Sequence, residues 1–443
     1  MTGVIRTRRS VVQAFRRGSW RPSLDTVALP GRSGLSLSLV PEAVAAAYRR
    51  RYEPPAGSFP PAARRKLIDT ALGLFDRGTV TVGGLGEQSA ADFRTALWET
   101  AGVPAALTDR WCGLLRGASA RPVEEPDGAP ALVSLPGNTF TCLESVLAEA
   151  ARSAAVRVRP SRREPLSSAR LVAALLEAGW PPERLVLCPT ERAALRILVG
   201  LTDRQTVYGG AGPTASVRAS DRLHVRGPGR GCALVPPGTD PAEAVDRLLP
   251  LVAGDGGRFC SNVRTVVCVE EPTSTEEPAG TEEPAGTEEP AVLEASPAAE
   301  GRPGTGRRAA EGPGSAAALA LAVARHLADA LDALRAEPVD DRLPLAAFRV
   351  PGEAGQCARR LREGLGPGDR MLTRRSPAAR GADGAEYALP ALALLGPGAG
   401  PGHPLVGREA PFPFAAVPAA SPAGAAAVAG TSSFIHRPRG GAL

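Results

Sequence analysis

Residues 131–160 read Ala131-Leu-Val-Ser-Leu135-Pro-Gly-Asn-Thr-Phe140-Thr-Cys-Leu-Glu-Ser145-Val-Leu-Ala-Glu-Ala150-Ala-Arg-Ser-Ala-Ala155-Val-Arg-Val-Arg-Pro160. Ala131–Leu135 has the length and composition of a buried strand, Cys142–Ser153 has helical spacing, and Ala155–Val158 is extended again. The alternation continues downstream. Ser167–Ala178 reads as a helix, Arg184–Leu187 as a strand, Glu191–Gly200 as helical and Gln205–Tyr208 as extended. Pro165-Leu-Ser-Ser168 and Pro189-Thr-Glu191 supply the residues that open helices. Strands separated by helices run parallel with right-handed crossovers, so this stretch predicts an α/β protein built on a parallel sheet.

Outward from that stretch the pattern changes. The first 120 residues read as arginine-rich helices and loops. Within them Ala62–Arg77 is an amphipathic helix with Leu67, Ile68, Ala71, Leu72 and Phe75 on one side. Downstream, Thr-Glu-Glu-Pro-Ala recurs from Thr275, Thr281 and Thr287, followed by Arg302-Pro-Gly-Thr-Gly-Arg-Arg308. A six-residue period rich in Glu and Pro builds no core, so residues 273–315 are expected to be a disordered surface insertion. Helical character returns at Ala316–Arg335. The chain of 443 residues is long enough for two or three domains. No run approaches eighteen apolar residues, which excludes a membrane-spanning helix. The start, with Arg8-Arg9, is followed by Ala14-Phe-Arg-Arg-Gly-Ser-Trp20 and no apolar segment, so an export signal is not expected and the location is read as cytoplasmic.

Fifty-two residues are basic, and only Lys66 among them is lysine; the net charge is +6. Ten glutamates and no base stand between 270 and 300, so the remainder carries +16. Such a body attracts nucleic acid, or anionic cofactors and thioester carriers. No recognition helix, zinc finger or aromatic-plus-basic motif is present, so nucleic acid is not the expected partner. Seven scattered cysteines, an odd number, read as free thiols in a reducing compartment. With no CxxC and four isolated histidines, no metal site is expected.

Gly210-Ala-Gly-Pro-Thr-Ala215 follows a strand and has the form G-x-G-x-x-A, which lets a backbone approach a pyrophosphate; no acid stands at the distance a standard dinucleotide site requires. Other segments carry more. Pro136-Gly-Asn138, Val156-Arg-Val-Arg-Pro-Ser-Arg162, Val207-Tyr-Gly-Gly210 and Gly257-Arg-Phe-Cys260 come in one order. Gly384-Ala-Glu-Tyr-Ala-Leu-Pro390 and Arg408-Glu-Ala-Pro-Phe-Pro-Phe414 follow them. In these segments, from Ala131 to Phe414, the chain resembles the aldehyde dehydrogenase superfamily. Around Val207–Ala219 it is most similar to the long-chain acyl-CoA reductases of bioluminescent bacteria.

The resemblance implies an aldehyde dehydrogenase-like fold, with a Rossmann-type parallel-sheet cofactor domain over residues 1–235, its N-terminal part helical. A catalytic α/β domain would cover 236–410, and residues 411–443 would form a C-terminal oligomerisation arm of a dimer or tetramer. Residue by residue, it implies Cys260 as nucleophile and Asn138 as the side-chain donor to the oxyanion. It implies Arg159, Ser161, Arg162, Gly209 and Gly210 around the cofactor, with Glu409 and Phe412 at the nicotinamide ribose and ring. The stretch Val225–Gly231, where hydrolytic dehydrogenases carry a water-activating glutamate, has no carboxylate. Arg162 stands where NAD-preferring members carry an acid, and a guanidinium pairs with a 2′-phosphate, so NADPH is the cofactor expected.

The function this implies is NADPH-dependent reduction of an acyl thioester, carried by coenzyme A or an acyl-carrier protein, to an aldehyde. Oxidation of an aldehyde to an acid is the alternative, and a catalytically silent scaffold using the Glu-Pro repeat is a third. Deleting residues 273–301 is expected to leave turnover and melting temperature nearly unchanged, since such a segment buries little apolar area; thermal denaturation and a turnover assay of the deletion variant check this.

Overall fold

The computed structural model describes residues 10–31, 33–47, 59–119, 129–209, 222–271, 315–336, 342–382 and 384–437. Apart from Ser315, the repeat-bearing stretch at 273–315 lies outside the described residues, as does the glycine motif at 210–215.

Two sheets organise the chain. The first runs in the order Leu223–Arg226, Arg204–Tyr208, Pro130–Ser134, Ala155–Arg159, Leu185–Leu187, Ala14–Arg16, Ser19–Arg21. Its first five strands are parallel. Four of them lie within one residue of the limits expected from sequence. The chain leaves the central strand Pro130–Ser134 in one direction, then returns to its other side at Arg204–Tyr208. This reversal opens a crevice at the strands' carboxyl ends, the usual binding place of an open α/β sheet. Helices Leu143–Arg152 and Leu166–Glu177 make the crossovers.

The N-terminal residues are not only helices and loops, as expected from sequence. Ala14–Arg16 and Ser19–Arg21 form a hairpin that extends the first sheet antiparallel. Its two-residue turn puts Arg17 (φ 52°) and Gly18 (φ 70°) in left-handed conformation, the geometry that matches strand twist. Strands of three residues carry too little alternation to be seen in sequence.

The second sheet runs Arg370–Met371, Ala391–Leu394, Phe414–Val417, Val263–Val269, Gly231–Val235, Phe434–His436, parallel except for its first strand. It takes in strands on either side of the expected 235/236 and 410/411 boundaries. Gly231–Val235, assigned to the cofactor domain, is a strand of this sheet, so the chain crosses over at 227–230. A side chain at Gly231 would meet the Asn262 carbonyl at 2.2 Å, and its absence lets the two strands approach. The segment 411–443, expected as an arm, supplies the fully buried strand Phe414–Val417 and the edge strand Phe434–His436 within its described residues. The apolar run Phe414-Ala-Ala-Val417 is long enough only for a buried strand.

The core of the first unit holds Phe75, Phe93, Trp111 and Phe140 in edge-on contact, with ring centroids 5.2–5.8 Å apart in three pairs. Arg170 lies at the centre of this unit with no solvent exposure. Its guanidinium donates to the carbonyls of Phe75, Gln88, Leu74 and Gly78, joining the end of helix Pro61–Arg77 to the following strands. Arg170→Met would leave those carbonyls unpaired in the core. We expect a loss of about 3–5 kcal/mol in urea unfolding, well beyond the sub-kilocalorie effect of an exposed arginine.

Candidate active site

The candidate centre forms where one turn of the second unit touches the first. Asp255, Gly256 and Gly257 are consecutively left-handed, at φ 54°, 64° and 68°. Two of the three are glycine, for which this conformation costs nothing; Asp255 adopts it because its carboxylate is anchored. The Trp111 indole N–H and Arg110 Nε donate to Asp255 Oδ1, each at 2.8 Å. A side chain at Gly257 would meet Pro413 N at 2.3 Å and the Phe412 carbonyl carbon at 2.4 Å. Asn262 closes the turn: the Phe259 N–H donates to its Oδ1 at 2.7 Å, while its Nδ2 donates to the carbonyls of Leu251 and Gly254. Buried Arg264 donates to the carbonyls of Gly257, Phe259 and Phe412. Cys260, next after Phe259, is exposed.

Asn138 comes to this turn from the first sheet, just beyond the carboxyl end of its central strand. It is half-buried, and its Nδ2 donates to the Arg258 carbonyl at 2.6 Å. The segment Val225–Gly231 also arrives. A side chain at Gly229 would fall 2.4 Å from Cys260 Cα, so that backbone lies directly against the nucleophile candidate. Glu409 is exposed and acts electrostatically on Cys260. The Cys260 thiol is pushed above its usual range by the protein packed around it and then by the negative charge of Glu409. Five other cysteines are raised mainly by burial, and Cys142, the seventh, mainly by burial and then by Cys260.

The residues expected around a cofactor lie at the carboxyl ends of the parallel strands. Arg159, closing Ala155–Arg159, donates to Ser134 Oγ, Thr190 Oγ1 and the Thr190 carbonyl. Burial lowers its pKa to about 10, and Arg162 adds repulsion. Arg162 is exposed and paired with both oxygens of Glu191, at 2.7 and 2.6 Å. Ser161 accepts from the Arg163 N–H and fills the space above Gly137, where a side chain would meet its Oγ at 2.5 Å. Gly209 ends its strand at φ 152° with its N–H on the Arg226 carbonyl, while Gly210 lies outside the described residues. Phe412 lies beside the turn, but its ring is buried, edge-on to Phe348 at 6.5 Å, in the second unit's core.

Cys260, Asn138 and Glu409 thus converge, Arg159, Ser161 and Arg162 share one crevice edge, and Phe412 is a core ring. Sequence reasoning missed Asp255, Asn262 and Arg264, which fix the turn; the pair Gly256-Gly257 after an aspartate was the available sign of a left-handed bend. It also missed Glu191 as the partner of Arg162. Among the described residues no group of three or more His, Cys, Asp or Glu could hold a metal ion. No described helix is long and apolar enough to cross a membrane.

Comparison of the whole structure with solved ones gives close likenesses. The methylmalonate-semialdehyde dehydrogenase of Oceanimonas doudoroffii matches with a TM-score of 0.70 at 14% identity, over 97% of this chain and 86% of that one. The fold is that of the aldehyde dehydrogenases. An NAD-dependent benzaldehyde dehydrogenase of Corynebacterium glutamicum matches with a TM-score of 0.66 at 11% identity, covering 97% and 90%. The gamma-glutamyl-gamma-aminobutyraldehyde dehydrogenase of Burkholderia cenocepacia matches equally well at 15% identity, covering 95% and 82%. No family model and no curated protein sequence matches the chain. The aldehyde dehydrogenase fold is therefore evident in three dimensions at sequence identities of 11–15%.

Removing the Glu409 charge should lower the Cys260 thiol pKa and raise its thiolate fraction at neutral pH. Glu409→Gln is expected to react several-fold faster with iodoacetamide at pH 7, with the midpoint of the rate–pH curve displaced to lower pH. Mass spectrometry of alkylated Cys260 across pH measures this, and an unchanged curve would contradict the electrostatic link.

Proposed function

We propose that the chain is a nicotinamide-dependent oxidoreductase acting between the aldehyde and acyl levels, with Cys260 carrying the acyl group. The observation that carries this reading is the meeting at one turn of an accessible thiol with an asparagine amide delivered from the other sheet. The Cys260 thiolate attacks a carbonyl carbon, and the charge that develops on oxygen is held by the Asn138 amide and the backbone N–H of Cys260. With an acyl thioester, the tetrahedral adduct collapses by expelling the carrier's thiolate, which takes up a proton. The product is a Cys260 thioester. A reduced nicotinamide, when bound, supplies the hydride that releases an aldehyde and regenerates the thiol.

The chain's own residues fit such a cofactor. The crevice at the strand reversal ends in Ser134, Arg159 and Thr190, and Arg162 stands beside it. The planar Arg162 guanidinium is what favours NADPH in this reading, and a 2′-phosphate would have to displace Glu191 from it. Ser161 and Gly209 line the same edge.

Two fates of the acyl-enzyme divide the finer readings. Thioester reduction, with coenzyme A or an acyl-carrier protein as donor, is supported by the backbone at Gly229 against Cys260: the segment Val225–Gly231 offers no carboxylate to activate water. Aldehyde oxidation to an acid is supported by the fold neighbours, which are named as dehydrogenases of aldehydes.

Intact mass after mixing the protein with an acyl-CoA, without nicotinamide, is expected to show an acyl adduct that maps to Cys260 and is absent from Cys260→Ser. Asn138→Ala should bind cofactor yet turn over about 10²–10³-fold more slowly, the loss expected from one oxyanion donor. Free acid from aldehyde plus NADP⁺, with no adduct from thioester, would select oxidation. An adduct on another cysteine would remove Cys260 from its role.

A further inference from the structure

Cys260 is not the only thiol at the candidate centre. Cys142, half-buried, stands at the amino end of helix Leu143–Arg152, on the same short segment as Asn138. Two interactions lay that segment alongside the turn that bears Cys260. Asn138 Nδ2 donates to the Arg258 carbonyl at 2.6 Å. The Trp111 ring packs against both Phe140 and Phe259, with centroids 5.2 and 5.7 Å away. Each cysteine follows closely on one of those two rings, and Cys142 and Phe259 pack against the same core cluster. Cys260 acts on the second thiol directly: Cys142 is pushed up mainly by burial and then by the charge of Cys260.

Polar groups complete the surroundings of Cys142. Tyr208 and Ser145 share a hydrogen bond at 2.7 Å between their hydroxyls, and Tyr208 also favours the Cys142 thiolate. The Ser145 N–H donates to the Cys142 carbonyl at 3.1 Å, which ties the cysteine to the first turn of the helix. Cys112, Cys188, Cys232 and Cys268, by contrast, are buried in four separate apolar clusters. An exposed nucleophilic thiol is open to oxidation, which is irreversible once it passes the sulfenic acid, whereas a neighbouring thiol captures the sulfenic acid as a reducible disulfide.

We propose that Cys142 is the resolving thiol of Cys260: a hydroperoxide oxidises Cys260, and the two sulfurs close into a disulfide that silences the nucleophile until a thiol reductant reopens it. The Cys260 thiolate attacks a peroxide oxygen and the O–O bond breaks. One oxygen stays on sulfur as a sulfenic acid, and the other leaves as water or an alcohol after taking up a proton. The Cys142 thiolate then attacks that sulfur, forms the S–S bond and expels hydroxide, which departs as water with the proton Cys142 gave up. The two sulfurs together lose the electron pair that reduces the peroxide. The order follows from exposure and charge. Cys260 is the exposed thiol, and its own charge keeps Cys142 protonated until the thiolate has become a neutral sulfenic acid. The inference goes beyond the proposed reaction and does not depend on its direction.

Treating the full chain with a slight excess of hydrogen peroxide at mildly alkaline pH tests this. Intact mass is expected to fall by two hydrogens, and peptide mapping without reductant is expected to join the peptides that carry Cys142 and Cys260. Labelling of Cys260 by iodoacetamide should be lost and should return after dithiothreitol. Cys142→Ser is expected to be labelled at Cys260 before oxidation, then to accumulate sulfinic acid there, with labelling that dithiothreitol does not restore. The map of the unsubstituted protein identifies the pairing even if this variant fails to fold. Sulfinic acid on Cys260 with no cross-link, a disulfide to any other cysteine, or a Cys260 left unchanged by peroxide overturns the proposal. The acyl adduct at Cys260 is read without oxidant, so that reading stands or falls separately.

Discussion

One buried carboxylate holds the candidate active site in register. Asp255 belongs to the second unit, and its partners Trp111 and Arg110 belong to a helix of the first. The left-handed turn it starts carries Arg258, Phe259 and Cys260 outward to the place where Asn138 and the 227–231 backbone arrive. Without that anchor the indole N–H would be buried unpaired, and a non-glycine residue would have no reason to accept φ 54°. The position of the thiol is therefore a property of the contact between units rather than of either sheet alone.

The arginine-rich, nearly lysine-free composition acquires a structural meaning around this contact. Arg64 donates to the carbonyls of Phe59, Ala150, Ala151 and Ser153. Arg170, Arg258 and Arg264 do the same elsewhere. A planar guanidinium offers several donors in fixed directions and can satisfy the orphan carbonyls of helix ends and bends, which a single ammonium cannot do with the same geometry. Part of the positive charge inferred from sequence to attract anions is thus spent inside the protein as scaffolding.

The parallel sheet was legible because short runs rich in valine and leucine alternate with helices of ordinary length. Even there, Glu191–Gly200 becomes a 3-10 turn at Arg192–Ala194 followed by the short helix Leu195–Val199. The second sheet was harder to read. Its strands come from distant parts of the chain, with Gly231–Val235 paired to both Val263–Val269 and Phe434–His436, and such pairing leaves no local pattern. Motif resemblance placed Cys260 and Asn138 together, but the residues that hold them are ordinary Asp, Asn and Arg whose roles depend on burial. Phe412, expected from its motif at the nicotinamide, has its ring buried edge-on to Phe348, a packing that no local pattern announces.

The place of Trp111 has one more consequence. Its ring sits 5.2 Å from Phe140 of the first unit and 5.7 Å from Phe259, the neighbour of Cys260, while its N–H is tied to Asp255. Any opening of the cleft must change the polarity and hydrogen bonding of that indole. The molecule thus carries an intrinsic optical gauge of that opening, in ring contact with the neighbour of Cys260.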